Sequence, residues 1–175
     1  MKGLRQISLL VFGFAVLPAC TFSAPQFEAF GRQVRVLVTS EKTKEEVVWL
    51  ASFNGQGAVL KPYVSEGYTV FANESGDAVA FDGWVVRSVL GFGREHALRV
   101  ADTGWVRSSQ SHNVRFAATC AAWQKEASDE GYQWRQICGI NGHEIVIDID
   151  DTGNIVRVRQ AFGGELGSLD LYVRP

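Results

Sequence analysis

One stretch decides the fold: Glu144-Ile145-Val146-Ile147-Asp148-Ile149-Asp150-Asp151-Thr152-Gly153-Asn154-Ile155-Val156-Arg157-Val158-Arg159-Gln160. Its two arms, residues 144–149 and 155–160, are rich in the β-branched residues that favour strands. The second arm alternates valine with arginine, which gives it one apolar and one polar face. Because the residues between the arms are turn formers, the stretch predicts an antiparallel hairpin with one face on a core.

The same pattern recurs on the N-terminal side of this hairpin. Residues 47–53 and 58–64 flank Asn54-Gly55, a hairpin dipeptide, and residues 78–90 are broken at Asp82-Gly83. Further strands are predicted at 68–71, 114–120 and 166–173, and one short helix at Gln26–Phe30. No helix-length periodic segment separates the strands. We therefore expect a mainly β fold, an antiparallel meander of hairpins forming a curved sheet or partial barrel with a little helix.

Two cysteines flank another predicted hairpin. Cys120 and Cys138 each lie nine residues from Asp129, the centre of the turn-forming segment, so a symmetric hairpin would set them opposite each other. Residues opposed across two strands are close enough for a disulfide, which would contribute about 3 kcal/mol in the chain-entropy model. The alternative is a pair of buried free thiols.

The N-terminus carries an export signal. Lys2 and Arg5 precede an apolar run that ends near Cys20 and is shorter than the about 20 residues a membrane-spanning helix needs. Leu17-Pro18-Ala19-Cys20 resembles the lipobox of bacterial lipoproteins, which implies a diacylated Cys20 anchored in the lipid bilayer. The expected division is a signal peptide at 1–19, a lipidated tether at 20–26 and one β-rich periplasmic domain at 27–175.

Two other interpretations of the N-terminus remain open: a signal peptide cut a few residues later to leave a soluble protein, and an uncleaved membrane anchor. In lipoproteins of this kind an aspartate after the lipidated cysteine usually means retention in the inner membrane. Thr21 occupies that position here, which favours the outer membrane, with the domain facing the periplasm.

Charge argues against some partners. The whole chain has a formal charge of −2, and removing the first 19 residues takes away two cations and no acids, leaving −4. A weakly acidic chain gives no electrostatic reason to expect nucleic acid or anionic lipid as a partner. The roughly 155 residues that remain suffice for one core and are too few for two comfortable ones.

Several segments together resemble a known family. They are Tyr68-Thr69-Val70-Phe71, the run Gly83–Gly91 with its Val86-Arg87 pair, the hairpin bearing Trp123, Tyr132 and Trp134, and Asp151-Thr152-Gly153 followed by Arg157, Arg159 and Gln160. With the lipobox, these features resemble the YjbF/GfcB family of group 4 capsule and exopolysaccharide lipoproteins. The resemblance implies a mainly antiparallel β outer-membrane lipoprotein that serves polysaccharide export or assembly. It brings no catalytic residue with it.

Motifs of catalysis and metal binding are weak. Asp-Thr-Gly occurs at 102–104 and 151–153, as in the paired triplets of aspartic proteases, but the second triplet falls where a hairpin turn is needed. His96, His112 and His143 lack zinc-ligand spacing and are expected on the surface or in hairpins, and no serine lies in a Gly-x-Ser-x-Gly elbow. An EF-hand beginning near Asp148 would place Arg159 where calcium needs a glutamate. We expect no catalytic centre, metal or cofactor.

Aromatic residues give the strongest indication of binding. The chain has five tryptophans, Trp49, Trp84, Trp105, Trp123 and Trp134. On a β face they could stack on sugar rings, and the alternative is that they fill the core. The symmetric hairpin places Trp123 opposite Arg135 and diagonal to Trp134, so these two tryptophans with Tyr132 are the expected contacts for a glycan or partner.

Three classes of function follow. The first is a non-catalytic accessory lipoprotein that binds a surface polysaccharide or a polysaccharide-export protein. The second is a structural envelope lipoprotein with no polysaccharide role. The third is an enzyme, which would need Asp102 and Asp151 within hydrogen-bond reach of each other in a cleft.

Overall fold

The computed structural model describes residues 47–140 and 143–174. The signal peptide 1–19, the lipidation site Cys20, the tether 20–26 and the short helix Gln26–Phe30 lie outside the described residues. In the described ranges, no helix has the length and apolar character needed to cross a bilayer.

Antiparallel strands make up nearly all of this part, which confirms the predicted fold class. The elements are β1 (Trp49–Phe53), β2 (Gln56–Ser65), β3 (Tyr68–Ala72), β4 (Ala78–Phe81), β5 (Val86–Leu90), β6 (Leu98–Thr103), β7 (Val106–Ser111), β8 (Val114–Thr119), β9 (Gln124–Ser128), β10 (Gly131–Cys138), β11 (His143–Asp150), β12 (Ile155–Ala161), a short 3-10 helix at Gly164–Leu166, and β13 (Ser168–Val173).

The strands form a single curled sheet in the order β8-β7-β6-β5-β4-β3-β2-β1-β13-β12-β11-β10-β9. Consecutive strands pair with each other, except β8 and β9, which end up at opposite ends of this order. The last strand returns to pair with the first, Ala51 facing Leu171. An isolated bridge pairs Cys120, directly after β8, with Cys138 in β10, the neighbour of β9 at the other end of the order. The first and last strands of the meander therefore pair with each other, and among the described strands the ladder is broken only between β8 and β9. We call this break the seam.

Local turn chemistry sets the hairpins where the sequence predicts them. Phe53 faces Gln56 across a two-residue turn in which Asn54 has φ 51° and Gly55 has φ 82°. Both residues thus have the positive φ of a type I′ turn, the reason this dipeptide is favoured there. In the decisive hairpin, Ile147 faces Val158, and the carboxylate of Asp150 accepts hydrogen bonds from the Thr152 hydroxyl and the Asn154 amide.

The core lies on the inner face of the curled sheet. Alternate residues of β11 and β13, among them Ile145, Ile147 and Leu171, are fully buried, as are residues from the other half of the sheet such as Val79 and Leu98. Phe53 packs between residues of both halves of the sheet, β3 to β8 on one side and β9 to β13 on the other. Its ring centroid lies 5.9 Å from that of Phe92, after β5, and 5.9 Å from that of Phe162, after β12. Fully burying each such side chain contributes about 1.5–3 kcal/mol relative to exposure.

One polar side chain joins the two halves through this core. Gln160 on β12 is 2 % exposed. Its Oε1 accepts a hydrogen bond of 2.8 Å from the Val86 amide, and its Nε2 donates one of 3.2 Å to the Val86 carbonyl. Because Val86 opens β5 in the opposite half, one amide group satisfies two backbone groups that the interior would otherwise leave unpaired.

The cysteine hairpin differs in register from the expectation. Ser128 faces Gly131 across a two-residue turn, so Arg135 faces Gln124 and Trp134 faces Lys125. The predicted pairing of Trp123 with Arg135 is therefore wrong by one residue, because a turn centred on Asp129 would need an odd number of loop residues. The disulfide itself is confirmed, with a Cα–Cα distance of 3.8 Å. Residues 121–123 leave the ladder and absorb the difference.

Candidate ligand-binding surface

Three tryptophans from distant parts of the chain meet on one side of the curled sheet. The Trp84 ring centroid lies 4.8 Å from that of Trp123 and 5.6 Å from that of Trp134. Trp84 belongs to the β4–β5 connection, Trp123 precedes β9, and Trp134 lies in β10. All three are half-buried and pack against the core. We call these residues the tryptophan cluster.

Tyr132 and Lys125 extend the cluster along the β9–β10 hairpin. Tyr132 and Trp134 are two residues apart on β10 and so share a face, and Lys125 is the cross-strand neighbour of Trp134. The Lys125 ammonium lies 3.6 Å from the Tyr132 ring centroid and 5.9 Å from that of Trp134. The structure thus places the three predicted contact residues on one surface, next to a cation held by aromatic rings.

Trp84 is held by a turn that the sequence marks only as Asp-Gly. The Asp82 Oδ1 accepts hydrogen bonds from the Trp84 amide at 2.8 Å and the Val85 amide at 2.7 Å. Gly83, between Asp82 and Trp84, has φ 97°, a backbone conformation that residues with a side chain rarely adopt. The sequence predicts this turn and gives no sign of the part Trp84 plays, because Trp123 and Trp134 lie far along the chain.

Two carboxylates and two guanidinium groups form a network beneath the turn. Arg87 Nε lies 2.5 Å from Asp82 Oδ2, and Arg87 Nη1 lies 3.0 Å from Asp102 Oδ2. Asp102 also accepts a hydrogen bond of 2.8 Å from Arg107 Nε. We call these four residues the arginine network, and it ties the Trp84 turn to β6 and β7.

The network continues to the segment that carries Trp123. Arg107, which is 6 % exposed, donates a hydrogen bond of 2.8 Å from Nη1 to Oε1 of the buried Gln136. Gln136 Nε2 then donates to the Ala121 carbonyl at 2.8 Å. Hydrogen bonds thus run from the turn before Trp84 to a residue just before Trp123, which fixes the two indoles relative to each other.

The network keeps its groups charged. Burial alone would raise the pKa of Asp102, but Arg107 and Arg87 hold it below its ordinary value. Burial alone would lower the pKa of Arg87, but Asp82 and Asp102 raise it above its ordinary value. An aspartic protease dyad instead needs one carboxyl with a raised pKa. The structure places Asp102 against arginines, and Asp151 lies exposed in the β11–β12 turn.

The other two tryptophans serve different purposes. Trp49 is 2 % exposed and packs on Phe71 at 4.8 Å, so the core-filling alternative holds for it. Trp105, in the β6–β7 turn, is 68 % exposed and takes no part in the cluster. Trp105 therefore provides an internal comparison for a surface tryptophan.

The histidines lie in two places. His96 and His112 stack with ring centroids 4.2 Å apart. His143 was expected on the surface or in a hairpin, and it lies in the β10–β11 hairpin opposite Cys138. Its side chain is 2 % exposed, packs on Phe116, and contacts the Ala161 carbonyl through Nδ1. Within residues 47–140 and 143–174, no three histidine, cysteine or acidic side chains gather as a metal site would require.

Comparisons with known proteins give one structural likeness. No model of a protein family and no curated protein sequence matches the chain. Among solved structures, the hypothetical lipoprotein YmcC from Escherichia coli K12 is similar, with a TM-score of 0.53 and 12 % sequence identity over 85 % of this chain and 94 % of that chain. At this identity the likeness shows a shared fold, and the protein that shares it is described as a hypothetical lipoprotein.

Proposed function

We propose that this chain is a non-catalytic outer-membrane lipoprotein, anchored through Cys20, whose periplasmic domain binds a surface polysaccharide or a protein of its export or assembly. The lipobox supports the anchor, and the likeness in fold to the hypothetical lipoprotein YmcC supports the class. The resemblance to the YjbF/GfcB family supports the role in capsule or exopolysaccharide export.

The observation that carries the binding role is the tryptophan cluster. Half-buried indoles held in place by the residues packed beneath them offer flat apolar surfaces, which suit the apolar face of a sugar ring. The arginine network fixes Trp84 and the contact to Ala121 fixes the Trp123 segment before any ligand arrives. A preorganised surface loses little conformational entropy on binding, which favours recognition over a purely structural role.

The anchor is tested by expressing the wild-type and Cys20→Ala proteins in a bacterium with two membranes. We expect mass spectrometry to find a diacylglyceryl group on Cys20, and the wild-type protein to fractionate with the outer membrane. The Cys20→Ala protein should lose both. An unmodified periplasmic protein in both strains would contradict the lipoprotein assignment.

The binding role is tested by titrating the full-length protein with oligosaccharides from the host's own surface polysaccharide while recording tryptophan fluorescence. Trp123→Ala should weaken binding by about tenfold or more, equivalent to about 1.4 kcal/mol. Trp105→Ala is the matched control, because Trp105 is exposed and outside the cluster. Equal affinities for the two variants would contradict a glycan-binding cluster.

A second candidate is a structural envelope lipoprotein. The observation that favours it is the packing of all three cluster tryptophans against the core. In that case Trp123→Ala would lower the free energy of unfolding, and no oligosaccharide would change the fluorescence of either protein. The same titration therefore separates the two candidates.

A further inference from the structure

A second concave surface lies on the outer face of the sheet, away from the tryptophan cluster. It is a groove of about 620 Å³ across β3 to β7. Ala80 lies between the buried Val79 and Phe81, and Arg99 lies between the buried Leu98 and Val100, so both groove residues point away from the core. The volume is within the range of about 300–1,000 Å³ typical of ligand sites.

The register explains why an outer sheet face is concave here. Ala80 faces Ser88, which in turn faces Arg99, and Ala101 faces Ser108 on the next row. Alanine and serine therefore form the floor, and larger side chains stand at its sides. The groove is built into the strand pairing and does not depend on a loop.

Two arginines line the groove in a chain that is acidic overall. Arg87 and Arg99 line it, and none of its lining residues, all of them in the described part of the chain, carries a carboxylate. Arg87 is engaged by the arginine network, whereas Arg99 is exposed and forms no ion pair with any described residue. Gln110 continues the row from Arg99 to Arg115, another exposed arginine, two strands and thus about 10 Å from Arg99.

The remaining side chains are those that recognise sugars. Tyr68 is 39 % exposed and Leu90 is 48 % exposed, so an aromatic and an apolar surface are available in the groove. Ser88, Ser108 and Gln110 add hydroxyl and amide groups that can exchange hydrogen bonds with sugar hydroxyls. A guanidinium group donates two parallel hydrogen bonds to the two oxygens of a carboxylate or phosphate. A neutral sugar has no anionic group to accept them.

We propose that this groove is a second binding site, and that it takes an acidic saccharide, a sugar chain bearing carboxylate groups. The inference rests on the proposed function for the class of ligand, but on different residues from the tryptophan cluster. The acid groups pair with Arg99 and Arg115, the hydroxyl groups bond to the serines and Gln110, and a sugar face packs on Tyr68.

The test is calorimetric titration of the full chain, exported and purified in detergent, with oligogalacturonate as the acidic probe and maltohexaose as the neutral one. Arg99→Ala should bind oligogalacturonate about tenfold more weakly or worse, as expected for the loss of a charge-assisted contact. Arg159→Ala is the matched control, because Arg159 is an exposed arginine on β12 outside the groove. We expect its affinity to stay within about twofold of the wild type.

Four results would overturn the inference: no binding of oligogalacturonate, equal binding of maltohexaose, an equal loss in Arg159→Ala, or displacement by glycerol 3-phosphate at the same concentration. The last result would mean that the groove recognises an anion alone, as on a lipid headgroup.

Trp123→Ala separates this inference from the proposed function. Loss of oligogalacturonate binding in Arg99→Ala with normal binding in Trp123→Ala supports the groove, whether or not the tryptophan cluster binds a glycan. The reverse result overturns the groove and leaves the cluster as the binding surface.

Discussion

Replacing Gln160 with leucine tests how the two halves of the sheet are joined. The substitution keeps the approximate size of the side chain and removes both hydrogen bonds to Val86. The Val86 amide and carbonyl are then left without a partner in a buried site, and each such group costs about 1–3 kcal/mol. Because the leucine regains part of this by apolar burial, we expect the free energy of unfolding to fall by about 2–4 kcal/mol.

The assay is urea unfolding with the disulfide intact, followed by tryptophan fluorescence and fitted for both midpoint and slope. Gln124→Leu is the matched control, because Gln124 is exposed on β9 and should change stability by no more than about 0.5 kcal/mol. If Gln160→Leu loses as little as this control at an unchanged slope, the argument that buried Val86 depends on Gln160 is refuted.

Two further predictions use the same unfolding assay. In the double variant Cys120→Ala/Cys138→Ala, the free energy of unfolding should fall by about 3 kcal/mol, because the disulfide spans 18 positions of sequence and its removal frees the unfolded chain. A loss below about 1 kcal/mol would mean that the seam holds without the disulfide. Burial, with the charge of Arg107 adding to it, lowers the pKa of His143 below its ordinary 6.5 despite the opposing contact with Ala161. The unfolded chain therefore binds more protons below pH 6.5, and the free energy of unfolding should fall as the pH drops from there through the folded pKa. His143→Gln should flatten this dependence on pH. An unchanged dependence of the free energy of unfolding on pH would contradict the prediction.

Sequence reasoning succeeds where a backbone requirement is local. Asn54-Gly55 predicts its hairpin because only a few residues tolerate the positive φ of a type I′ turn. The arms of the decisive hairpin are predicted by their pattern, because one face meets a core and the other meets water. Neither signal needs knowledge of the rest of the chain.

Register is less secure than the existence of a hairpin. The cysteine hairpin is predicted correctly as a unit, and its disulfide follows from the spacing of the two cysteines. Its internal pairing is off by one residue, because Asp129 and Glu130 form a two-residue turn closed by Ser128 and Gly131. Symmetry of the sequence about a residue does not distinguish a turn of two residues from one of three.

Contacts across the curled sheet lie beyond local patterns altogether. Trp84 and Trp123 are separated by four strands, β5 to β8, and meet only because the sheet curls. Arg107 sits in a strand segment of polar residues, which resembles an exposed edge. Arg107 can be buried because Asp102 and Gln136 supply acceptors for its guanidinium group.

The seam explains why these missed contacts occur together. A meander of this order leaves β8 and β9 as free edges unless something joins them, and exposed edges invite pairing with other chains. The disulfide links Cys120, directly after β8, to Cys138 in β10, the strand that pairs with β9. Arg107 also bonds to Gln136, and Gln136 bonds to the Ala121 carbonyl, across the same break. Because Trp123 lies two residues beyond Ala121, the contacts that close the seam also set Trp123 against Trp84. Closing the sheet and forming the tryptophan cluster are therefore one structural event, and no single hairpin contains the information for either.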